Sequence, residues 1–367
     1  MTKGFAARET ADASARAKAL AEKTGDFARL RVLLFVAYVN AHSSGNYPAS
    51  GEVADQMLDV ANRDGNPEDI ATAHLAQLAT RLYRGDLVGA ENHFNKAGEL
   101  FSTHGLHQIS EIRSPGIYAS TFGHAGWNAW VMGRAETARK RLDQAVARSR
   151  ENNSPYELAW AEYMSAYLEI WLGDLKTGEA TAAHALSISS EHGFPVWAAM
   201  SSIALGRARA ELSNAGDGVS MIRRGMSSLI ETGSEVKMRH YQSLAEAQVM
   251  VGAIADALST IERAVVANPE ELFMRPETFR LRGEILLKHS RYEDAEADFR
   301  TATTLARSMS GKMLELRATT SLARLLRNTE RRAEARAMLA DIYNRFTEGF
   351  DTGDLIDAKA LLDELKN

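Results

Sequence analysis

Small and bulky apolar residues recur in fixed phase along this chain. Five segments align: "RGDLVGAENHFNKA" (84–97), "MGRAETARKRLDQA" (132–145), "LGDLKTGEATAAHA" (172–185), "VGAIADALSTIERA" (251–264) and "HSRYEDAEADFRTA" (289–302). Each has a turn residue, a small residue five positions later, a mostly bulky one nine later and Ala twelve later. In the last segment these are Ser290, Ala295, Phe299 and Ala302. Offsets of three and four residues fall on one face of a helix, so each segment predicts a turn followed by a packed helix.

A second small position precedes each turn by seven residues: Gly126, Ala166, Gly206, Ala245, Gly283 and Ala323. The gaps are 40, 40, 39, 38 and 40. A small residue in the first helix lets the second helix of the same hairpin approach closely. Gly suits the intervening turn because it tolerates positive φ. This spacing resembles the tetratricopeptide repeat, whose standard period is about 34. The longer period here requires longer helices or linkers. The resemblance implies an all-α, right-handed superhelix (α-solenoid) of about eight long helical hairpins with capping helices.

The expected organisation is an N-terminal capping helix within 1–25, repeats over 26–345 and a C-terminal capping helix within 346–367. In "DTGDLIDAKALLDELK", Leu355, Ala358, Leu361, Leu362 and Leu365 form one stripe that would cover the last repeat. Phe346 and Phe350 flank Gly349 and would both anchor the turn into that helix. The phase breaks between Gly85 and Gly133, and the surplus falls near "STHGLHQISEIRSPGIYASTFGHAG" (102–126), which reads as a loop or an irregular helix start.

Composition changes this picture little. The chain has 367 residues, beyond the usual size of one compact core, which a repeat array explains. Its net charge of −5 argues against nucleic-acid partners and anionic membrane surfaces. The absence of cysteine removes disulfides, thiolate nucleophiles and Cys-based metal sites, and fits a cytoplasmic protein. The N-terminus lacks the apolar core of a signal peptide, and no apolar run is long enough to span a membrane.

No phosphate-binding loop, HExxH, GxSxG or dinucleotide fingerprint occurs, so no enzyme activity and no cofactor are expected. His104, His107 and His124 cluster in the segment that breaks phase, but no third ligand has matching spacing, so no metal is expected.

The aromatic residues carry more. All five tryptophans lie between 127 and 197. The stripe of the first helix that lines the groove of tetratricopeptide arrays selects Trp127 and Trp130 in one unit. In the next it selects Trp160, Tyr163, Tyr167 and Trp171. Later units place Arg207, Arg239, Arg280 and Arg324 there. One reading is a groove that stacks an apolar or aromatic group and holds carboxylates with arginine forks. The plainer alternative buries the aromatics against neighbouring helices and leaves the charges as a solvated face.

The C-terminal run adds ancestry. "LELRATTSLARL" (314–325), "RRAEAR" (331–336), "FTEGFDTGDL" (346–355) and "AKALLDEL" (358–365) resemble the C-terminal region of large bacterial signalling proteins. Those carry a class III adenylate/guanylate cyclase domain, an AAA-type ATPase and then a tetratricopeptide region. "EHGFPVWAAMSSIALGRARAE" (191–211) and "RGMSSLIETGSEVKMRHYQSLAEA" (224–247) resemble the same region. The cyclase and ATPase domains have no counterpart here, so the resemblance implies neither activity. It implies a non-enzymatic regulatory module of a bacterial signalling system that binds a protein or peptide in its concave groove. The alternative is a small-molecule sensor arm with an aromatic pocket.

Overall fold

The computed structural model describes residues 27–105, 116–213, 215–327 and 329–366. The capping helix expected within 1–25 lies outside the described residues, as do His107 and the rest of 106–115 within the phase-breaking segment. Among the described residues are seventeen α-helices and no strand. Sixteen of them pair into eight antiparallel hairpins. These are α1 (Phe27–Ser43) with α2 (Tyr47–Asp64), α3 (Pro67–Tyr83) with α4 (Leu87–His104), α5 (Ile117–Val131) with α6 (Ala135–Glu151), and α7 (Pro155–Leu172) with α8 (Leu175–Glu191). Then follow α9 (Pro195–Leu212) with α10 (Ala215–Glu231), α11 (Met238–Met250) with α12 (Ile254–Ala267), α13 (Arg275–Lys288) with α14 (Tyr292–Ser308), and α15 (Lys312–Arg327) with α16 (Arg332–Tyr343). A last helix, α17 (Gly353–Glu364), packs on α15 and α16. The fold is an all-α, tetratricopeptide-like superhelix.

Short turns punctuate it. At Gly173-Asp174 the two amides donate to Ile170 O (3.2 Å) and Glu169 O (2.9 Å), closing α7 with Gly173 at φ +88°. The Asp174 side chain then accepts the Thr177 amide (3.2 Å) and opens α8. Stop and start signals thus sit side by side in the sequence. Pro155 and Pro195 open α7 and α9, where a missing N–H costs nothing because the first helical amides have no partner within the helix. These prolines set the period, and helices of 18 and 17 residues fill it. Here the excess over the standard repeat lies in the helices, whereas α11, α12 and α13, of 13, 14 and 14 residues, are accompanied by the longer linkers 232–237 and 268–274.

The small residues of the first helices sit where the hairpins are tightest. A β-carbon at Gly126 would lie 2.9 Å from Leu142, and one at Gly283 only 2.5 Å from the Phe299 ring. The Ala positions on the second helices, among them Ala138, Ala145, Ala257, Ala264, Ala295 and Ala302, are fully buried.

Long-range contacts link hairpins five apart. The α1–α2 turn meets the segments before α11 and after α12: Glu235 N donates to Ser43 O (3.0 Å), and the Asn268 side-chain amide donates to Gly45 O (3.0 Å). The end of α3 meets the segment before α13, where the amides of Leu272 and Phe273 both donate to Tyr83 O (2.8 and 3.2 Å). The α5–α6 turn meets Lys312 and Phe346. One turn of the superhelix therefore rests directly on the next.

The stripe on α17 is buried at Leu355, Ala358, Leu361, Leu362 and Leu365, in one cluster with Leu339 and Ile342. The two flanking phenylalanines part company. Phe346 is buried, while Phe350 is half exposed, with its ring tilted against that of Tyr343 (6.0 Å between centroids). Of the two, Phe346 is the buried anchor: it reaches back to Gly133 on the earlier superhelical turn, where Glu348 also accepts the Thr137 amide (3.1 Å).

Candidate functional site

The inner faces of five first helices converge on a cavity of about 560 Å³. Its wall takes residues one helical turn apart: Tyr38 and His42 from α1, Leu75 and Ala79 from α3, Ser120, His124 and Trp127 from α5. Trp160, Tyr163 and Met164 come from α7, and Trp197 and Met200 from α9. The segment 232–239 closes one side through Glu235, Lys237 and Arg239. Most of the lining is apolar, and the volume falls in the range of sites for small organic ligands.

One end is aromatic. Trp160 and Trp197 stack at 4.7 Å, and Tyr156 meets both Trp197 and Phe194 edge-on at 5.9 and 5.3 Å. The other end is polar and deeply buried. Arg239 is 3% exposed; its Nε and Nη2 donate to Tyr163 Oη (3.0 and 2.9 Å), and its Nη1 to Tyr83 Oη (3.2 Å). The guanidinium also faces the rings of Trp127 and Tyr167, 5.2 and 5.9 Å away. Lys237 pairs with Glu235 at 2.5 Å and donates to Tyr47 Oη (2.6 Å) and His42 O (3.1 Å). Burial lowers the pKa of Lys237, with Glu235 opposing the shift. His124 is pushed down to about 4 and His42 well below its ordinary value, chiefly by burial, so both imidazoles are neutral at pH 7.

Four of the ten residues singled out from sequence, Trp127, Trp160, Tyr163 and Arg239, meet on the cavity wall. Trp130, Tyr167 and Trp171 lie away from it: Trp130 stacks on Trp171 at 4.6 Å, and Tyr167 hydrogen-bonds Ser243 (3.4 Å) within the aromatic core. The other arginines are engaged by carboxylates. Arg207 pairs with Glu211 and Glu246 (2.6 and 2.8 Å), Arg280 with Glu277 (2.6 Å), and Arg324 with Asp357. Later first helices thus answer their inner arginines with acids from the same surface, and no open basic groove forms over them.

Tyr38, His42, Tyr83, His124 and Lys237 belong to the site but not to the set read from sequence. His42 and Lys237 are 195 positions apart. They meet only because the superhelix closes on itself after five hairpins, a relation no local pattern encodes. His124 carried a signal, one helical turn before Trp127 on the same face, but stood in the segment that breaks phase.

Among the described residues no group of three or more His, Asp or Glu could hold a metal ion. No described helix is long and apolar enough to cross a membrane.

With this geometry the chain is similar to known superhelical structures. One is a Rap protein complexed with competence and sporulation factor, with a TM-score of 0.57 and 10% identity, covering 92% of this chain and 97% of that one. Another is the Cut9–Hcn1 hetero-tetramer of the APC/C, with a TM-score of 0.60 and 14% identity, covering 100% of this chain and 61% of that one. This chain therefore spans less than two thirds of the latter's length. Such low identities establish the fold alone. No protein-family model matches the chain, and no curated protein matches it in sequence.

Proposed function

We propose that this chain is a non-enzymatic regulatory module that takes a compact, largely apolar ligand into the cavity between α1, α3, α5, α7 and α9. The observation that carries this reading is the cavity itself. Five helices and a linker surround it with aromatic and apolar side chains, and a buried cation stands at its far wall. Its walls come from both sides of the superhelical closure, so a ligand there would stabilise one curvature of the array over others. That change of curvature would be read by a protein partner in a cytoplasmic bacterial signalling system of the cyclase–ATPase kind. The fold-level likeness to a Rap protein crystallised with competence and sporulation factor supports a second reading, in which the occupant is a peptide.

The test uses N-phenyl-1-naphthylamine, a neutral apolar dye of suitable size. The folded chain is expected to enhance its emission at one site. Val196→Trp, which places an indole on the cavity wall, should weaken that binding severalfold. A folded chain that leaves the dye dark, or a variant that binds it unchanged, would overturn this reading.

A further inference from the structure

We infer that Arg239 is the anion-recognising residue of the cavity and that the ligand carries a carboxylate on an apolar or aromatic body. The inference rests on the binding reading above and names the ligand class.

Arg239 differs from the other inner arginines. Arg207, Arg280 and Arg317 each meet a carboxylate within 3.2 Å, through Glu246 and Glu211, Glu277, and Glu277 again. Among the described residues Arg239 makes no ion pair; its hydrogen-bond partners are the hydroxyls of Tyr163 and Tyr83. Burial raises the pKa of both tyrosines, so they are neutral partners rather than phenolates. The buried acid nearest in effect, Glu271, accepts the Met238 amide (3.1 Å), makes no ion pair among the described residues, and is pushed toward its neutral form by burial.

A buried cation without a counter-ion costs several kcal/mol, which is why such groups are normally paired. Guanidinium has five N–H donors, and three hydrogen bonds to tyrosine leave two for a ligand. A planar fork with two free donors suits a carboxylate. Among the described residues the one other cation on the cavity wall, Lys237, is already satisfied by Glu235 and Tyr47, so the site offers a single charge and favours a monoanion over a phosphate dianion. The remaining wall, with the Trp160–Trp197 stack, accepts the body of the ligand. A free aromatic acid and the C-terminus of a short apolar peptide share this chemistry.

The experiment displaces N-phenyl-1-naphthylamine with two matched pairs: indole-3-propionate against its amide, and acetyl-Leu-Trp with a free against an amidated C-terminus. At least one acid is expected to displace the dye at about tenfold lower concentration than its amide, the effect of one charge-assisted hydrogen-bonded contact. Whichever pair shows the ratio identifies the source as small acid or peptide. In Arg239→Gln the acid-to-amide ratio, read against that variant's own dye affinity, should fall to near one. If that variant does not fold, Arg239→Lys, which keeps the charge without the fork, should reduce the ratio severalfold. Acids and amides that displace the dye equally from the unaltered chain would overturn the inference and leave the cavity reading standing. A ratio that survives loss of the guanidinium would overturn the assignment to Arg239. A folded chain that binds no dye would sink both.

Discussion

The ring of Phe346 packs on the turn glycine Gly133, from the opposite side of the superhelical closure. A β-carbon at Gly133, whose φ is +82°, would lie 2.7 Å from that ring. Phe346→Ala should therefore destabilise the chain by about 3–5 kcal/mol, the range for a buried aromatic removed from a packed site. Phe350→Ala, at a half-exposed ring, should stay within about 0.5 kcal/mol of the parent. Urea unfolding of the two variants checks this; equal midpoints would show that the closure contact contributes nothing.

Two glycines in second helices make opposite predictions. A β-carbon at Gly218 would lie 2.6 Å from the carbonyl oxygen of Gly206, and backbone cannot rotate away. Gly218→Ala should force α9 and α10 apart and cost about 1–3 kcal/mol. Gly98, on α4, has nothing within 4 Å of its missing β-carbon. Gly98→Ala should stabilise by about 0.5–1 kcal/mol through helix propensity. Thermal unfolding of the pair decides, and a shift of the same sign in both would contradict the packing argument.

Lys237 ties three parts of the cavity wall together through Glu235, Tyr47 and the His42 carbonyl. Its side chain is 5% exposed and that of Glu235 is 17% exposed, so Lys237→Met strands a largely buried acid. The expected cost is about 3 kcal/mol, at the low end for a broken buried pair because Asn268 still donates to Glu235. The double variant Lys237→Met/Glu235→Gln should recover part of that loss. Dye binding should weaken in the single variant, since the α1 wall is released. Unfolding and dye titration of both variants test it; a single variant as stable as the parent would remove the clasp.

Most of the architecture was legible because packing repeats. The small residue at Gly126, Gly206 and Gly283 and the Ala ladders on the second helices are local signals, and each holds two neighbouring helices together. The site was half legible. Trp127, Trp160, Tyr163 and Arg239 follow from helical phase and share the cavity. Trp130 and Trp171 follow from the same phase yet pack into the core, because the superhelix is wound tightly enough to fill its own axis with Phe273 and the indoles. That winding depends on contacts between segments about 190 residues apart, such as Lys237 with Tyr47. It also hid the role of Lys237, which precedes its helix, and of His42, which stands on the first and least regular hairpin. The arginines showed the opposite limit: phase placed Arg207, Arg239 and Arg280 on one inner face, but only the structure shows which of them lack a carboxylate.

Buried imidazoles and a buried, paired carboxylate, of which His124 and Glu277 are examples, divide the acid limb of stability into separate windows. His124, on the cavity wall, titrates near 4 in the folded chain against an ordinary 6.5, because burial disfavours the imidazolium. The unfolded chain binds that proton first, so the contribution is complete above pH 6.5 and is lost as pH falls toward 4. Its size is about 3 kcal/mol at one pKa unit per 1.36 kcal/mol. Glu277 works lower. Burial alone would raise its pKa, but Arg280 and Arg317 outweigh burial and hold it at about 2 against an ordinary 4.5. Its contribution, again about 3 kcal/mol, is complete above pH 4.5 and fades between 4.5 and 2. Urea midpoints measured from pH 7 to pH 3 should therefore fall in two stages. His124→Phe should remove its share of the upper stage, to which His42, His74, His93 and His240 also contribute because burial lowers each imidazole's pKa, and leave the lower one. Glu277→Gln should lower the midpoint at pH 7 and flatten the lower stage, since Arg280 and Arg317 lose their shared acid. A single stage that neither substitution alters would mean that exposed carboxylates, not these two buried groups, set the acid stability of the fold.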